Sequence, residues 1–199
     1  MRAIVVFVFA VSAIVVTSPD ARAQAVSVAV KGGLNFAKVE SAEAPDEIDA
    51  NTGGAVGISV PITLMPGLRL QPELFFATQR FSIVSQSPEI RVAANGILMP
   101  VLLSLGVLRR DRISVWAFGG PYVARINDVT QTVGTFEADA SDQVRDLDAG
   151  ITFGAALELA MPRGAFSLEL RGNRGLRDIY DAPEEIKTRS VMLLAGYRF

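Results

Sequence analysis

The sequence predicts an all-β fold, an eight-stranded antiparallel up-and-down transmembrane β-barrel, on three observations. Apolar residues recur at every second position in one segment after another, which is the period of a strand and not of a helix. Long polar connections alternate with short ones built from Pro and Gly, the residues that tight turns require. The charged residues of the alternating segments collect on the face opposite the apolar one, so one side of the sheet is an apolar band and the other carries charge. With 199 residues the chain has the length of one such domain.

The first element is not part of the barrel. Met1 and Arg2 precede an apolar run over residues 3–16, broken only by Ser12, and Thr17-Ser18-Pro19-Asp20-Ala21-Arg22-Ala23 follows. A positive start, a short apolar centre, a helix-breaking Pro and the small-x-small site Ala21-Arg22-Ala23 are the layout of a secretory signal peptide. The competing interpretation, a membrane anchor, needs roughly 20 apolar residues to cross as a helix, and this run is shorter. Cleavage after Ala23 is expected, so that residues 1–23 are the signal peptide and residues 24–199 the exported barrel domain. No later run suits a helical span, since residues 97–108 are interrupted by Pro100, Ser104 and Gly106.

The strands follow in order. Val26, Val28, Val30, Leu34 and Phe36 oppose Ser27, Ala29, Lys31, Gly33 and Asn35 in the first. Val56, Ile58, Val60, Ile62 and Leu64 oppose Ala55, Gly57, Ser59, Pro61 and Thr63 in the second, and Leu68, Leu70, Leu74 and Phe76 oppose Arg69, Gln71 and Glu73 in the third. The fourth and fifth, about residues 92–105 and 113–124, are too uniformly apolar for their faces to be assigned. In the sixth, Leu147, Ala149, Ile151, Phe153, Ala155, Leu157 and Leu159 alternate with Asp148, Gly150, Thr152, Gly154, Ala156 and Glu158. The seventh sets Phe166, Leu168 and Leu170 against Ser167, Glu169, Arg171 and Asn173, and the eighth sets Val191, Leu193, Ala195, Tyr197 and Phe199 against Ser190, Met192, Leu194, Gly196 and Arg198.

Residues 40–51, 82–90, 125–145 and 177–187 are the expected long loops; Met65-Pro66-Gly67, residues 107–111 and Met161-Pro162-Arg163-Gly164 are the short turns. In outer-membrane barrels long loops are extracellular and short turns periplasmic, which places both chain ends on the periplasmic side. Periodicity does not say which face meets lipid: a soluble barrel turns its apolar side inward, a membrane barrel outward. The length of the clean apolar faces, the Gly and Ala among the polar set, and a final Phe199 with Tyr197 on the same face favour the membrane, the aromatic pair suiting an interfacial girdle.

These residues resemble the PorT-like family of outer-membrane β-barrels, which share their architecture with the eight-stranded OmpX and OmpA barrels. The resemblance spans nearly all of residues 24–199. Its blocks are Val30-Lys31-Gly32-Gly33-Leu34-Asn35-Phe36, Leu70-Gln71-Pro72-Glu73-Leu74, residues 97–103 around Pro100, Gly119-Gly120-Pro121-Tyr122, Leu147-Asp148-Ala149-Gly150, and Leu170-Arg171-Gly172-Asn173-Arg174-Gly175-Leu176. The terminal Gly196-Tyr197-Arg198-Phe199 resembles the signal by which the barrel-assembly machinery recognises such proteins, so Tyr197 and Phe199 are expected to carry that role. The resemblance implies an outer-membrane location in a Gram-negative bacterium, in contact with outer-membrane lipid and lipopolysaccharide. It specifies fold and not function.

Composition narrows the chemistry. There is no Cys and no His, which removes disulfides, thiolate and imidazole metal ligands and every dyad or triad with an imidazole base. No enzymatic activity, cofactor or metal is expected, and a near-balanced charge of -2 without a basic patch excludes nucleic acid as a partner. Lys31, Arg69, Glu73, Asp148, Glu158, Glu169, Arg171 and Arg198 are expected inside the barrel as a polar network, because eight strands leave an interior only wide enough for side chains to fill and buried charges must pair. Glu73 and Glu169 are expected to find Arg69, Arg171 or Lys31.

Two loops are acidic. Glu40, Glu43, Asp46, Glu47 and Asp49 make the first -5, and Asp139 and Asp142 belong to a stretch over residues 126–146 with a net -4. Carboxylate clusters suit hard cations, but the spacing is not that of an EF-hand, and recognition of an extracellular or periplasmic partner is the more general role of long loops on a rigid scaffold. Arg109, Arg110 and Arg112, offset by Asp111, suit either anionic headgroups or cell-wall polymer at a periplasmic turn, or plain solvation there. Trp116 and Tyr122 are assigned to barrel or girdle packing. The functional expectation is a non-enzymatic outer-membrane barrel with a structural, adhesive or secretion-accessory role through acidic loops. A narrow channel for small polar solutes is the first alternative, and a secreted soluble barrel binding an apolar ligand the second.

Overall fold

A computed structural model describes residues 26–41, 48–83, 90–133, 136–139, 147–176 and 186–199. The signal segment at residues 1–23 and the loop carboxylates Glu43, Asp46, Glu47 and Asp142 lie outside the described residues. Wherever the sequence alternates, the chain is extended: β1 (Ala29–Ser41), β2 (Ile48–Ser59), β3 (Ile62–Met65), β4 (Leu68–Ile83), β5 (Ile90–Arg110), β6 (Ile113–Val133), β7 (Phe136–Asp139), β8 (Leu147–Met161), β9 (Gly164–Gly175) and β10 (Ile186–Arg198). β2 and β3 are two halves of one stave, and β7 folds back on the end of β6, so the barrel has eight staves. Every neighbouring pair is antiparallel, and β1 pairs with β10 as well as with β2, which closes the ring.

The alternation sorts the two faces. Val30, Leu34, Phe36, Val56, Ile58, Phe153, Leu157, Leu168, Leu170, Val191 and Leu193 point outward and are exposed. Lys31, Asn35, Glu73, Asp148, Thr152, Glu169, Arg171 and Asn173 point inward and are buried. An apolar exterior around a charged interior is the order that suits a bilayer, where the strands satisfy every backbone group and apolar side chains meet lipid. The soluble alternative required Leu147, Ile151, Phe153, Leu157 and Leu159 to face the lumen; all five are exposed on the outside.

The faces left open by uniform apolarity are now assigned. Leu98, Pro100, Leu102 and Ser104 of β5 and Trp116, Phe118 and Tyr122 of β6 turn into the lumen, whereas Leu103, Leu105 and Val123 turn to lipid. One wall of the lumen is therefore apolar, with Phe75, Leu98, Tyr122, Met192 and Leu194 packed together, and the interior is a mixed core rather than the purely polar one expected. Glycines opposite the aromatic rings make this packing fit: a Cβ on Gly150 would lie 2.6 Å from Tyr122 Cε1, and one on Gly154 would lie 2.7 Å from Phe118 Cζ.

Other expectations are corrected. Ile62 keeps the outward face expected of it, opposite Leu70 as Thr63 is opposite Arg69, yet it is buried there, because Val26 bridges it and Ser27 N–H donates to the Pro61 carbonyl at 3.1 Å. The short turn expected at residues 107–111 shrinks to Asp111 and Arg112, since β5 continues to Arg110. The stretch 125–145 is not one long loop; β6 runs on to Val133 and returns through β7. Three loop carboxylates accordingly sit in strands: Glu40 in β1 opposite Lys187, Asp49 in β2 opposite Ser82, and Asp139 in β7 opposite Thr130. Polar side chains do not stop a strand whose backbone is already paired on a neighbour, so the ladder continues past the last lipid-facing residue.

The turns at Asp111 and Arg112, at Pro66 and Gly67, and at Pro162 and Arg163 share one end of the barrel with the start of β1 and with Phe199, whose N–H donates to the Val28 carbonyl at 2.9 Å. At this end Tyr197 and Phe199 pack edge to face with ring centroids 5.0 Å apart, and Tyr197 Oη donates to the Arg163 carbonyl at 3.1 Å.

Candidate functional site

The lumen is built in layers, and the alternation of β1, β4 and β9 puts four charged side chains into one of them. Lys31 Nζ donates to Glu73 Oε1 at 2.7 Å and to Glu169 Oε2 at 2.6 Å. Arg171 donates from Nη1 to Glu73 Oε2 at 2.7 Å, from Nε to Glu169 Oε1 at 2.6 Å, and from Nη2 to the same Glu169 oxygen. Gln71 Nε2 adds a bond to Glu73 Oε1 at 2.7 Å. Two cations and two anions make the quartet neutral, and its side chains are no more than 6 % exposed. Arg171 is further enclosed by the rings of Phe75 and Phe118, at 4.9 and 5.5 Å from its guanidinium carbon. Burying four charges is costly unless each is paired and its hydrogen bonds are met, and here they are.

A second cluster lies nearer the short-turn end. Arg69 Nη1 donates to both oxygens of Glu158, at 2.8 and 3.0 Å, and Arg198 Nη2 reaches Glu158 Oε2 at 3.4 Å. The Arg69 guanidinium carbon also lies over Trp116, 3.6 Å from the ring centroid. Of the cations expected for Glu73 and Glu169, Lys31 and Arg171 take them, and Arg69 takes Glu158 instead. Trp116 and Tyr122 are luminal, not girdle residues; Tyr122 Oη donates to Asp148 Oδ2 at 2.9 Å.

Toward the long-loop end the lumen turns to neutral polar groups. Thr152 Oγ1 donates to Asn173 Oδ1 at 2.7 Å, Asn173 Nδ2 donates to Ser190 Oγ at 2.9 Å, and Thr78 Oγ1 bonds Asn95 Oδ1 at 2.8 Å. A cavity of about 50 Å³ bounded by Asn95, Tyr122, Asp148, Asn173 and Ser190 lies here. A cavity of about 20 Å³ beside Lys31 and Glu169, and one of about 250 Å³ at the short-turn mouth, lie at the other end and share no lining residue with it. Among the described residues no cluster of His, Cys, Asp or Glu has the arrangement of a metal site. The aromatic wall of the lumen was missed in sequence because β5 and β6 carry apolar residues on both faces; Gly150 and Gly154, facing the rings from β8, were the available signal.

A closed eight-stranded barrel with an apolar girth, a charged interior and the turns at Pro66, Asp111 and Pro162 gathered at one end defines a transmembrane barrel of the outer-membrane class. The chain belongs to the outer membrane protein beta-barrel domain family, which it matches over residues 20–181, and its place is the outer membrane. None of the curated proteins matches it. Among solved structures it is similar to Neisserial surface protein A, at 15 % identity with a TM-score of 0.54 over 88 % of this chain and 98 % of that one. It is also similar to the attachment invasion locus protein Ail of Yersinia pestis in complex with the heparin analogue sucrose octasulfate, at 13 % identity and a TM-score of 0.50 over 87 % and 99 % of the two chains. OprG of Pseudomonas aeruginosa matches at 10 % identity and a TM-score of 0.50 over 88 % and 97 %.

Proposed function

We propose that the protein is a non-enzymatic outer-membrane platform whose barrel is an anchor and whose acidic extracellular loops bind a partner, in a structural, adhesive or secretion-accessory role. The observation that carries this is the buried quartet of Lys31, Glu73, Glu169 and Arg171: it fills the lumen between the two mouths, so the surfaces left for work are at the ends. The strand-end carboxylates Glu40, Asp49 and Asp139, with Glu43, Asp46, Glu47 and Asp142 next to them in sequence, favour a basic protein surface, or a divalent cation bridging to lipopolysaccharide, and disfavour a polyanion. Within the family the chain belongs with the PorT-like barrels of Gram-negative bacteria, is exported by residues 1–23 and is handed to the barrel-assembly machinery through Tyr197 and Phe199.

Two measurements test this. In planar bilayers the purified protein gives no steady single-channel openings; steady openings would instead support the narrow polar-solute channel. Cells displaying the barrel are then compared with cells displaying a variant carrying Glu43→Gln, Asp46→Asn, Glu47→Gln, Asp139→Asn and Asp142→Asn. Adhesion to cationic surfaces falls in the variant at unchanged surface display, and equal adhesion removes the loops from the function.

A further inference from the structure

The largest of the three cavities described above opens at the short-turn mouth and is strongly basic. Arg69, Arg109, Arg110, Arg112 and Arg198 line it against only Asp111 and Glu158, a surplus of three positive charges. Glu158 is already shared by Arg69 and Arg198, while Arg109, Arg110 and Arg112 have no ion-pair partner among the described residues. Arg198 Nε is buried without a hydrogen-bond partner among them. Trp116, Ser114, Ala160 and Ala165 also line the cavity. The cavity is about 250 Å³, room for a tetrahedral anion with part of an attached group.

Its height on the barrel matters equally. Ile113 lines the cavity and is also exposed on the outer face, beside Val107, Leu108, Leu159 and Met161 at the last turn of the apolar belt. The pocket thus opens where hydrocarbon gives way to headgroups, on the side where Tyr197 and Phe199 form the girdle. Several arginines lining one space match an anion with three or more oxygens, because each planar fork binds two oxygens and a carboxylate would satisfy only one fork.

We propose that this pocket binds a phosphate group, supplied by the headgroup of an anionic phospholipid in the periplasmic leaflet. The test uses the full barrel refolded in phosphatidylcholine nanodiscs with and without phosphatidylglycerol, followed by native mass spectrometry after extraction, and a parallel calorimetric titration with glycerol phosphate in zwitterionic detergent. Retention of one phosphatidylglycerol per barrel supports the lipid source; saturable glycerol phosphate binding without lipid retention supports the phosphate site but overturns the lipid as its occupant. Arg109→Gln with Arg112→Gln, both exposed and outside the Glu158 cluster, weakens binding about 25-fold, at about 5-fold per arginine. Asp111→Asn keeps the positive φ of 42° that Asn tolerates and tightens binding about 5-fold. Gel mobility of unboiled samples checks that each variant is a closed barrel. Binding of neither probe, or equal binding by the double variant, overturns the proposal.

Discussion

Arg171 on β9 and Glu73 on β4 meet across the lumen at 2.7 Å, 98 residues apart in sequence and with no exposed side-chain surface on either. Neither strand neighbours the other in the sheet, so the contact exists only because the barrel closes. Removing one partner leaves the other charged, buried and short of a counter-ion. Arg171→Met or Glu73→Leu is expected to cost about 3–5 kcal/mol. Urea unfolding from lipid vesicles, followed by the fluorescence of the single Trp116, measures it. Replacing Lys31, Glu73, Glu169 and Arg171 together by Met and Leu recovers most of that loss, because no uncompensated charge is left; a quadruple variant as unstable as the sum of the singles would contradict this account.

The outer face makes a depth-dependent prediction. Leu170 lies between Glu169 and Arg171 on β9 and faces outward at the level of the quartet, whereas Val107 lies beside the turn. Leu170→Arg places a charge deep in hydrocarbon and costs about 2–4 kcal/mol, while Val107→Arg costs about 0–1 kcal/mol near the interface. The same unfolding assay compares them. Equal and small costs would mean that water, not lipid, surrounds the barrel.

Gly150 is predicted to be intolerant of a methyl group. Its Cβ would lie 2.2 Å from the Arg174 carbonyl oxygen and 2.6 Å from the Tyr122 ring, so relief requires the backbones of β8 and β9 to part as well as the ring to move. Gly150→Ala should cost about 1–3 kcal/mol and disturb the Tyr122 to Asp148 bond, whereas Gly67→Ala, with nothing within 4 Å, pays only for its positive φ of 84°. Nuclear magnetic resonance of the Tyr122 ring in micelles reports the displacement directly.

Arg69 stacks on Trp116, which makes the tryptophan a reporter for the second charged cluster. Arg69→Met removes that contact and leaves Glu158 with Arg198 alone. A stability loss of about 1–2 kcal/mol is expected for a contact so far withdrawn from solvent. A changed emission maximum in the folded, unboiled protein should accompany it, and an unchanged spectrum would show that the stacking does not persist in the bilayer.

Much of this barrel is legible without coordinates. The eight alternating segments, the Gly and Pro turns and the charges confined to one face identify the strands and the content of the two faces, because a period of two is a local property of the backbone. Where the signal is not local, the sequence is silent or misleading. β5 and β6 are apolar on both sides because one of their faces completes an internal wall while the other meets lipid. Ile62 is buried on the outer face because Val26, ahead of β1, bridges it, and Asp139 is in a strand because β6 offers it a paired neighbour.

What the sequence by itself determined is where the alternating strands run, and which of their residues share a face. Only the closed structure decided that the charged face is the inner one, that Glu73 takes Lys31 and Arg171 while Arg69 goes to Glu158, and that five arginines gather at one mouth. The reason is geometric: alternation constrains each strand against its own neighbours, but which side chains meet across a lumen depends on the stagger accumulated around the whole ring, and no single segment carries that information.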